Sequence, residues 1–224
     1  MIPKVVAENV ASNAEKNIFN LLKKIDLHNN SVALHSLNCS EHQYKVWSEI
    51  DFCLVLPEGL FILEVKGGGV SVEDGLWTYK GHNRGGTSRE GPFEQAKSAR
   101  YSLEKILKEK FRLDRQLNNW PILFGYGVLL PDTPWTNLSV EMPSEIVADN
   151  QSCRDVKSFH QYIKHLIKYW QLKNKISSGM PLSKKEINLI KKALRPNIDF
   201  LPEFQIGLQT VRNQITQFTE EQFD

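Results

Sequence analysis

The chain has 224 residues, 41% of them apolar and 24% charged, with a formal net charge of +2. A chain of this length buries roughly 70% of its unfolded surface and builds a core without staples. Its composition excludes collagen, coiled coil, wholesale disorder and a disulfide scaffold. No apolar run approaches the roughly 20 residues of a membrane span. Glu8, Asn13, Glu15 and Asn17 do not fit a signal peptide. Cys39, Cys53 and Cys153 cannot all pair and form no CxxC, which predicts reduced thiols in a cytoplasmic protein. His35, Cys39 and His42 have no fourth ligand at finger-like spacing, so zinc is not expected.

Residues 8–25 predict a helix, with Val10, Ala14, Ile18, Leu21 and Ile25 on one stripe. Glu15 falls at the shoulder of that stripe, either solvated or aimed into a site. Residues 30–38 and 43–56 predict strands. Tyr44, Val46, Ile50, Phe52, Leu54 and Leu56 share one parity, with Glu49 and Asp51 on the opposite face. Pro57-Glu58-Gly59 is turn chemistry, and Leu60–Lys66 completes a hairpin. Val70–Val72 and Leu76–Lys80 predict a short ribbon around Asp74-Gly75. Residues 81–91 read as a mobile loop carrying Arg84 and Arg89. Pro92 opens a second amphipathic helix running to about Phe111. Ile122–Leu130 suits a strand buried on both faces. A short strand near Glu145–Ala148 and helices near 155–174, 183–194 and 204–217 follow. The order is αβββαβ with a helical addition, an α/β fold built on a mixed sheet.

Charge is unevenly spread. Residues 154–195 hold eleven Lys or Arg against Asp155 and Glu186, whereas 199–224 hold one arginine against five acids. The basic block is either a solvated helical face or a surface for phosphates.

Chemistry concentrates on the hairpin. Asp51 is followed after twelve residues by Glu64-Val65-Lys66, and Glu64 and Lys66 project to the same face. Charged groups ending so apolar a strand are costly unless paired or metal-bound. Two carboxylates there suit a hard cation such as Mg²⁺ or Mn²⁺, beside a lysine that balances charge on an attacked phosphate. The alternative from these residues alone is a surface ion pair.

The Asp-x12-Glu-x-Lys hairpin after a glutamate-bearing helix resembles the PD-(D/E)XK nuclease superfamily. More narrowly, it is similar to the NERD (nuclease-related) domain. The resemblance covers roughly residues 8–130 and rests on Glu15, Glu49–Phe52, Gly59–Gly67, Gly75-Leu76-Trp77 and Pro92–Ala96. It implies the superfamily's restriction-endonuclease-like αβββαβ core. It also implies that Asp51, Glu64 and the Val65 carbonyl bind metal, that Lys66 is the motif lysine, and that Glu15 and Gln95 complete the catalytic set. Some superfamily members carry a tyrosine four residues after this glutamine. Here that position is Ala99, with Tyr101 two further on.

Near the end, Leu194–Asn197 and Phe218–Asp224 resemble the stretch leading into a superfamily 1 helicase, where Gln222 would read adenine. No GxxxxGK[ST] occurs, so no P-loop is present. The resemblance implies residues 1–150 as a nuclease core, 151–198 as a basic helical extension and 199–224 as an acidic connector toward a helicase. The expected activity is divalent-metal-dependent DNA hydrolysis in DNA processing or anti-phage defence. The alternative is a silent nucleic-acid-binding or docking module. Backbone contacts are expected from Arg84, Arg89, Lys97, Arg100, Lys164, Lys168, Lys173 and Lys175, with stacking from Tyr162, Tyr169 and Trp170 and extension through Lys105 and Lys108.

Overall fold

The computed structural model describes residues 1–5, 12–28, 30–39, 48–80, 86–111, 122–136, 139, 141–175 and 181–197. Residues Met1–Leu194 form one compact unit and Arg195–Asp224 a second. The helix expected at 204–217, together with Arg84 and Gln222, lies outside the described residues.

Helix α1 spans Asn13–Lys24. It starts later than the expected residue 8 because Ser12 is extended and caps it: the Glu15 amide donates to Ser12 Oγ at 3.1 Å and the Ser12 amide to Glu15 Oε1 at 3.3 Å. Strands β1 (Val32–Cys39), β2 (Ser48–Leu56) and β3 (Gly59–Val65) follow as an antiparallel meander. Gly59 holds φ +148° at the tight Pro57-Glu58 connection. Strands β4 (Gly69–Glu73) and β5 (Leu76–Lys80) turn on Asp74 and Gly75, both at positive φ. Part of the expected 81–91 loop is a strand instead: β6 (Gly86–Ser88) pairs with β5 and completes a separate three-stranded sheet.

Helix α2 (Pro92–Phe111) leads to β7 (Phe124–Leu129), which joins β3 in parallel. A 3-10 turn (Ser144–Ile146) precedes β8 (Val147–Ala148). Helices α3 (Val156–Lys173) and α4 (Lys184–Leu194) complete the described structure. The main sheet has the order β1-β2-β3-β7-β8. It is a mixed α/β architecture with the expected core order.

Apolar alternation splits the core in two. Phe61 and Leu63 of β3 join α1 and α3 on one face, while Leu60 and Ile62 join α2 and α4 on the other. One expectation of parity fails. Ile50 does not share a face with Phe52 and Leu54; it packs with Cys53 and Val55. The cause lies across the ladder. Ser36 adopts φ +52°, and the pairing of β1 with β2 keeps one register but omits the Ser36–Asp51 step. On β1 the same inversion leaves Leu34 and Leu37 in one cluster.

Helix α3 seats on β7 through two notches. A Cβ on Gly125 would sit 2.6 Å from the Trp170 ring, and one on Gly127 would run into the Tyr162 hydroxyl. Tyr162 donates to the Ile146 carbonyl at 3.0 Å and Trp170 Nε1 to the Tyr126 carbonyl at 2.8 Å. The three cysteines are buried and form no disulfide with one another. No helix among the described residues is long and apolar enough to cross a membrane.

Candidate active site

The site begins where β2 and β3 part. Their ladder ends at Phe52–Leu63, and beyond it Glu64 and Val65 pair only with β7. The Val65 amide, which has lost its strand partner, donates instead to Asp51 Oδ2 at 2.7 Å. A residue's amide and carbonyl face the same strand edge, so the Val65 carbonyl also faces the Asp51 side. The inversion at Asp51 therefore puts a carboxylate into a gap in an otherwise apolar sheet.

Glu64 is 6% exposed, and its Oε1 takes the Lys66 Nζ at 2.6 Å. Burial, then the charges of Glu64 and Glu15, push Asp51 well above the usual carboxylate range, against the Val65 hydrogen bond and Lys66. Burial also raises Glu64, opposed by Lys66 and reinforced by Glu15 and Glu90. For Lys66, burial works against the ammonium. Glu64 and Asp51 outweigh it, so the group is raised above the ordinary lysine range and stays charged.

Glu15 therefore reaches this cluster electrostatically. Its second oxygen lies 3.5 Å from Nε2 of buried His35, whose ring packs between Phe19 and Phe52. The sequence reading missed both local jobs of Glu15, capping α1 and meeting His35. Close packing brings α1 here: a Cβ on Gly67 would lie 2.7 Å from the Ala14 Cβ. Asp132 and Thr133, just past β7, clamp the next residue. Asp132 Oδ2 accepts from the Gly68 amide at 2.7 Å, and Thr133 Oγ1 donates to its carbonyl at 2.8 Å. No motif pointed to this clamp.

Gln95 lies in the first turn of α2, and its buried Oε1 has no hydrogen-bond partner among the described residues. Tyr101 is 56% exposed and covered by Arg100, not turned into the core.

No group of three or more His, Cys, Asp or Glu among the described residues stands ready to hold a metal. The donor chemistry nevertheless fits one. Asp51 and Glu64 each keep a second carboxylate oxygen beyond the bonds above, and the Val65 carbonyl faces the same gap. All are hard oxygen donors. Glu64 and Glu15 raise Asp51, and Glu15 and Glu90 raise Glu64, against a single ammonium, which leaves a deficit of positive charge.

The expected nucleic-acid contacts fare unevenly. Arg89, Lys164, Lys168, Lys173 and Lys175 are exposed. Arg100 is not available as a backbone contact. It is 14% exposed, paired with Glu104 at 3.0 Å and stacked on Tyr101 and Phe124. Lys97, Lys105 and Lys108 meet Glu94, Glu109 and Glu104 on their own helix, which blunts the charge of that track. The basic block is not one surface, because α3 and α4 cover opposite faces of the sheet. Tyr162 and Trp170 do not offer stacking platforms; Tyr162 is buried and Trp170 half-buried, each spent on α3 docking.

A family model described as nuclease-related domain (NERD) matches residues 11–124. The chain belongs to the NERD family. No curated protein and no solved structure gave a match. The NERD span holds Glu15, Asp51, Glu64, Lys66 and Gln95 together, and it ends at the start of β7. Helices α3 and α4 of this NERD protein lie beyond it. Nuclease-related function with binding to nucleic acid follows from membership.

Proposed function

We propose that this NERD protein hydrolyses DNA phosphodiester bonds as a divalent-metal-dependent nuclease of the PD-(D/E)XK superfamily. The observation that carries the reading is the pairing of buried Glu64 with half-buried Lys66 at 2.6 Å beside Asp51, at the gap between β2 and β3. Asp51, Glu64 and the Val65 carbonyl would hold Mg²⁺ or Mn²⁺. A bound divalent cation supplies Lewis-acid polarisation of the scissile phosphate.

The chain's own residues do the rest. Glu64 fixes Lys66 and keeps it cationic, so the ammonium offsets negative charge gathering on the phosphate as water attacks. Gln95 offers its unpartnered oxygen as an acceptor that orients that water. Glu15 raises the negative field that makes the gap attractive to a cation. Exposed Lys164, Lys168, Lys173 and Lys175, with Arg89, grip the backbone without reading bases. Resemblance of residues 218–224 to a helicase lead-in supports a nuclease–helicase protein in DNA processing or defence.

The test is incubation of circular and linear DNA, single- and double-stranded, with Mg²⁺, Mn²⁺ or EDTA. Metal-dependent cleavage absent from Lys66→Ala is the expected result. DNA binding without cleavage in every arm supports the docking module instead.

A further inference from the structure

Strand β5 places a side chain at the site that no motif singled out. Trp77 and Tyr79 are two residues apart and share a face. Trp77 is buried, its ring 5.9 Å from that of Phe93, and any Cβ on Gly91 would strike its indole. On its edges β5 is held by β4 and by β6, where Tyr79 pairs with Gly86. So anchored, β5 presents the Tyr79 ring to Lys66, whose Nζ lies 5.9 Å from the ring centroid. The Tyr79 hydroxyl is buried and has no hydrogen-bond partner among the described residues. An unpaired buried hydroxyl is costly, and an arriving acceptor relieves that cost. The Lys66 ammonium over the ring draws anionic oxygens.

We propose that Tyr79 is a substrate-contact residue. Its ring caps the Lys66 ammonium, and its hydroxyl donates to a non-bridging oxygen of the phosphate bound against Lys66. The assignment rests on the nuclease reading above and adds a positioning group from the second sheet.

Two variants of the full chain separate ring from hydroxyl. Tyr79→Phe keeps the ring, and its single-turnover cleavage falls about 10- to 100-fold, the worth of one hydrogen bond to a charged group. Its affinity for a short DNA duplex in Ca²⁺, without turnover, falls about 3- to 10-fold. Tyr79→Leu also removes the ring. The ring-current shift on the Lys66 side-chain resonances, read by NMR without DNA, persists in Tyr79→Phe and vanishes in Tyr79→Leu. Wild-type cleavage and affinity in Tyr79→Phe overturn the phosphate contact. An unchanged Lys66 resonance in Tyr79→Leu overturns the cap. A wild-type chain that binds DNA but never cuts it overturns the nuclease reading alone, and the affinity ratio still decides Tyr79. A chain that binds no DNA overturns both.

Discussion

Asp51 accepts the Val65 amide at 2.7 Å, and this bond stands where the β2–β3 ladder should have continued. A side chain has taken over a backbone partnership at the point where two strands diverge. The acid is thus fixed by its neighbour's main chain, while burial and Glu64 make its charge costly.

Asp51→Asn removes that charge and keeps an oxygen for Val65. In EDTA at neutral pH the variant gains about 1–2 kcal/mol, a rise in Tm of roughly 3–6 °C for a chain of this size. It cuts no DNA, and Mg²⁺ no longer raises its Tm. A lower Tm than wild type in EDTA sinks the idea that Asp51 is held at a cost.

Lys66→Ala leaves Glu64 buried without its ammonium. Breaking such a pair from one side costs about 1–3 kcal/mol after allowing for the partial exposure of Lys66. The double variant Glu64→Gln, Lys66→Ala recovers much of that loss. Urea melts of the single and double variants measure the coupling, and strict additivity contradicts it.

Cys39 and Cys153 give a pH dependence in the alkaline range. Burial pushes their thiols up to about 11 and about 12. In the unfolded chain thiols ionise near 8.5 to 9. The folded state therefore keeps protons that the unfolded state releases, and stability falls as pH climbs from about 9 toward the folded values. The slope is at most about 1.4 kcal/mol per thiol per pH unit. Denaturant melts at pH 8 and pH 10 measure it, and Cys39→Ala, Cys153→Ala flattens the difference. In the native protein neither thiol reacts quickly with iodoacetamide.

Gly127→Ala forces a methyl against the Tyr162 hydroxyl and costs about 1–3 kcal/mol. Tyr162→Phe in the same chain relieves part of the clash. Thermal melts of the two variants against wild type decide, and an unchanged Tm for Gly127→Ala removes the notch argument.

The lysines of α3 and α4 are separable because the helices flank opposite faces. Lys164→Gln with Lys168→Gln weakens DNA binding and lowers the salt slope by about 2. Lys185→Gln with Lys192→Gln leaves it near wild type. Equal losses from both pairs contradict a single gripping face.

Much of the fold was legible because its signals are local. The Pro57-Glu58-Gly59 turn, the apolar run through Ile122–Leu130 and Pro92 at a helix start each depend on adjacent residues. The acid pair and its lysine were legible because carboxylates at the end of a buried strand break the apolar pattern. Their gap was not, since it arises from the Ser36 backbone on another strand. The Asp132 clamp on Gly68 spans sixty-four positions and leaves no local trace. Nor could the basic run at 154–195 reveal its division between two faces. That depends on where Leu182 is tied, through its amide, to the Pro57 carbonyl of the hairpin turn.

The paired inversion at Ser36 and Asp51 adds no residue to either strand. A bulge would shift every later pairing by one position. This device instead exchanges inside for outside on both strands at once, and the pairing count stays intact. An ionisable group can then enter the middle of a sheet whose two oily layers remain closed above and below it. Homologous swaps along β1 and β2 should therefore be made in facing pairs, because either strand turned over alone would set leucine against water and a carboxylate against the core.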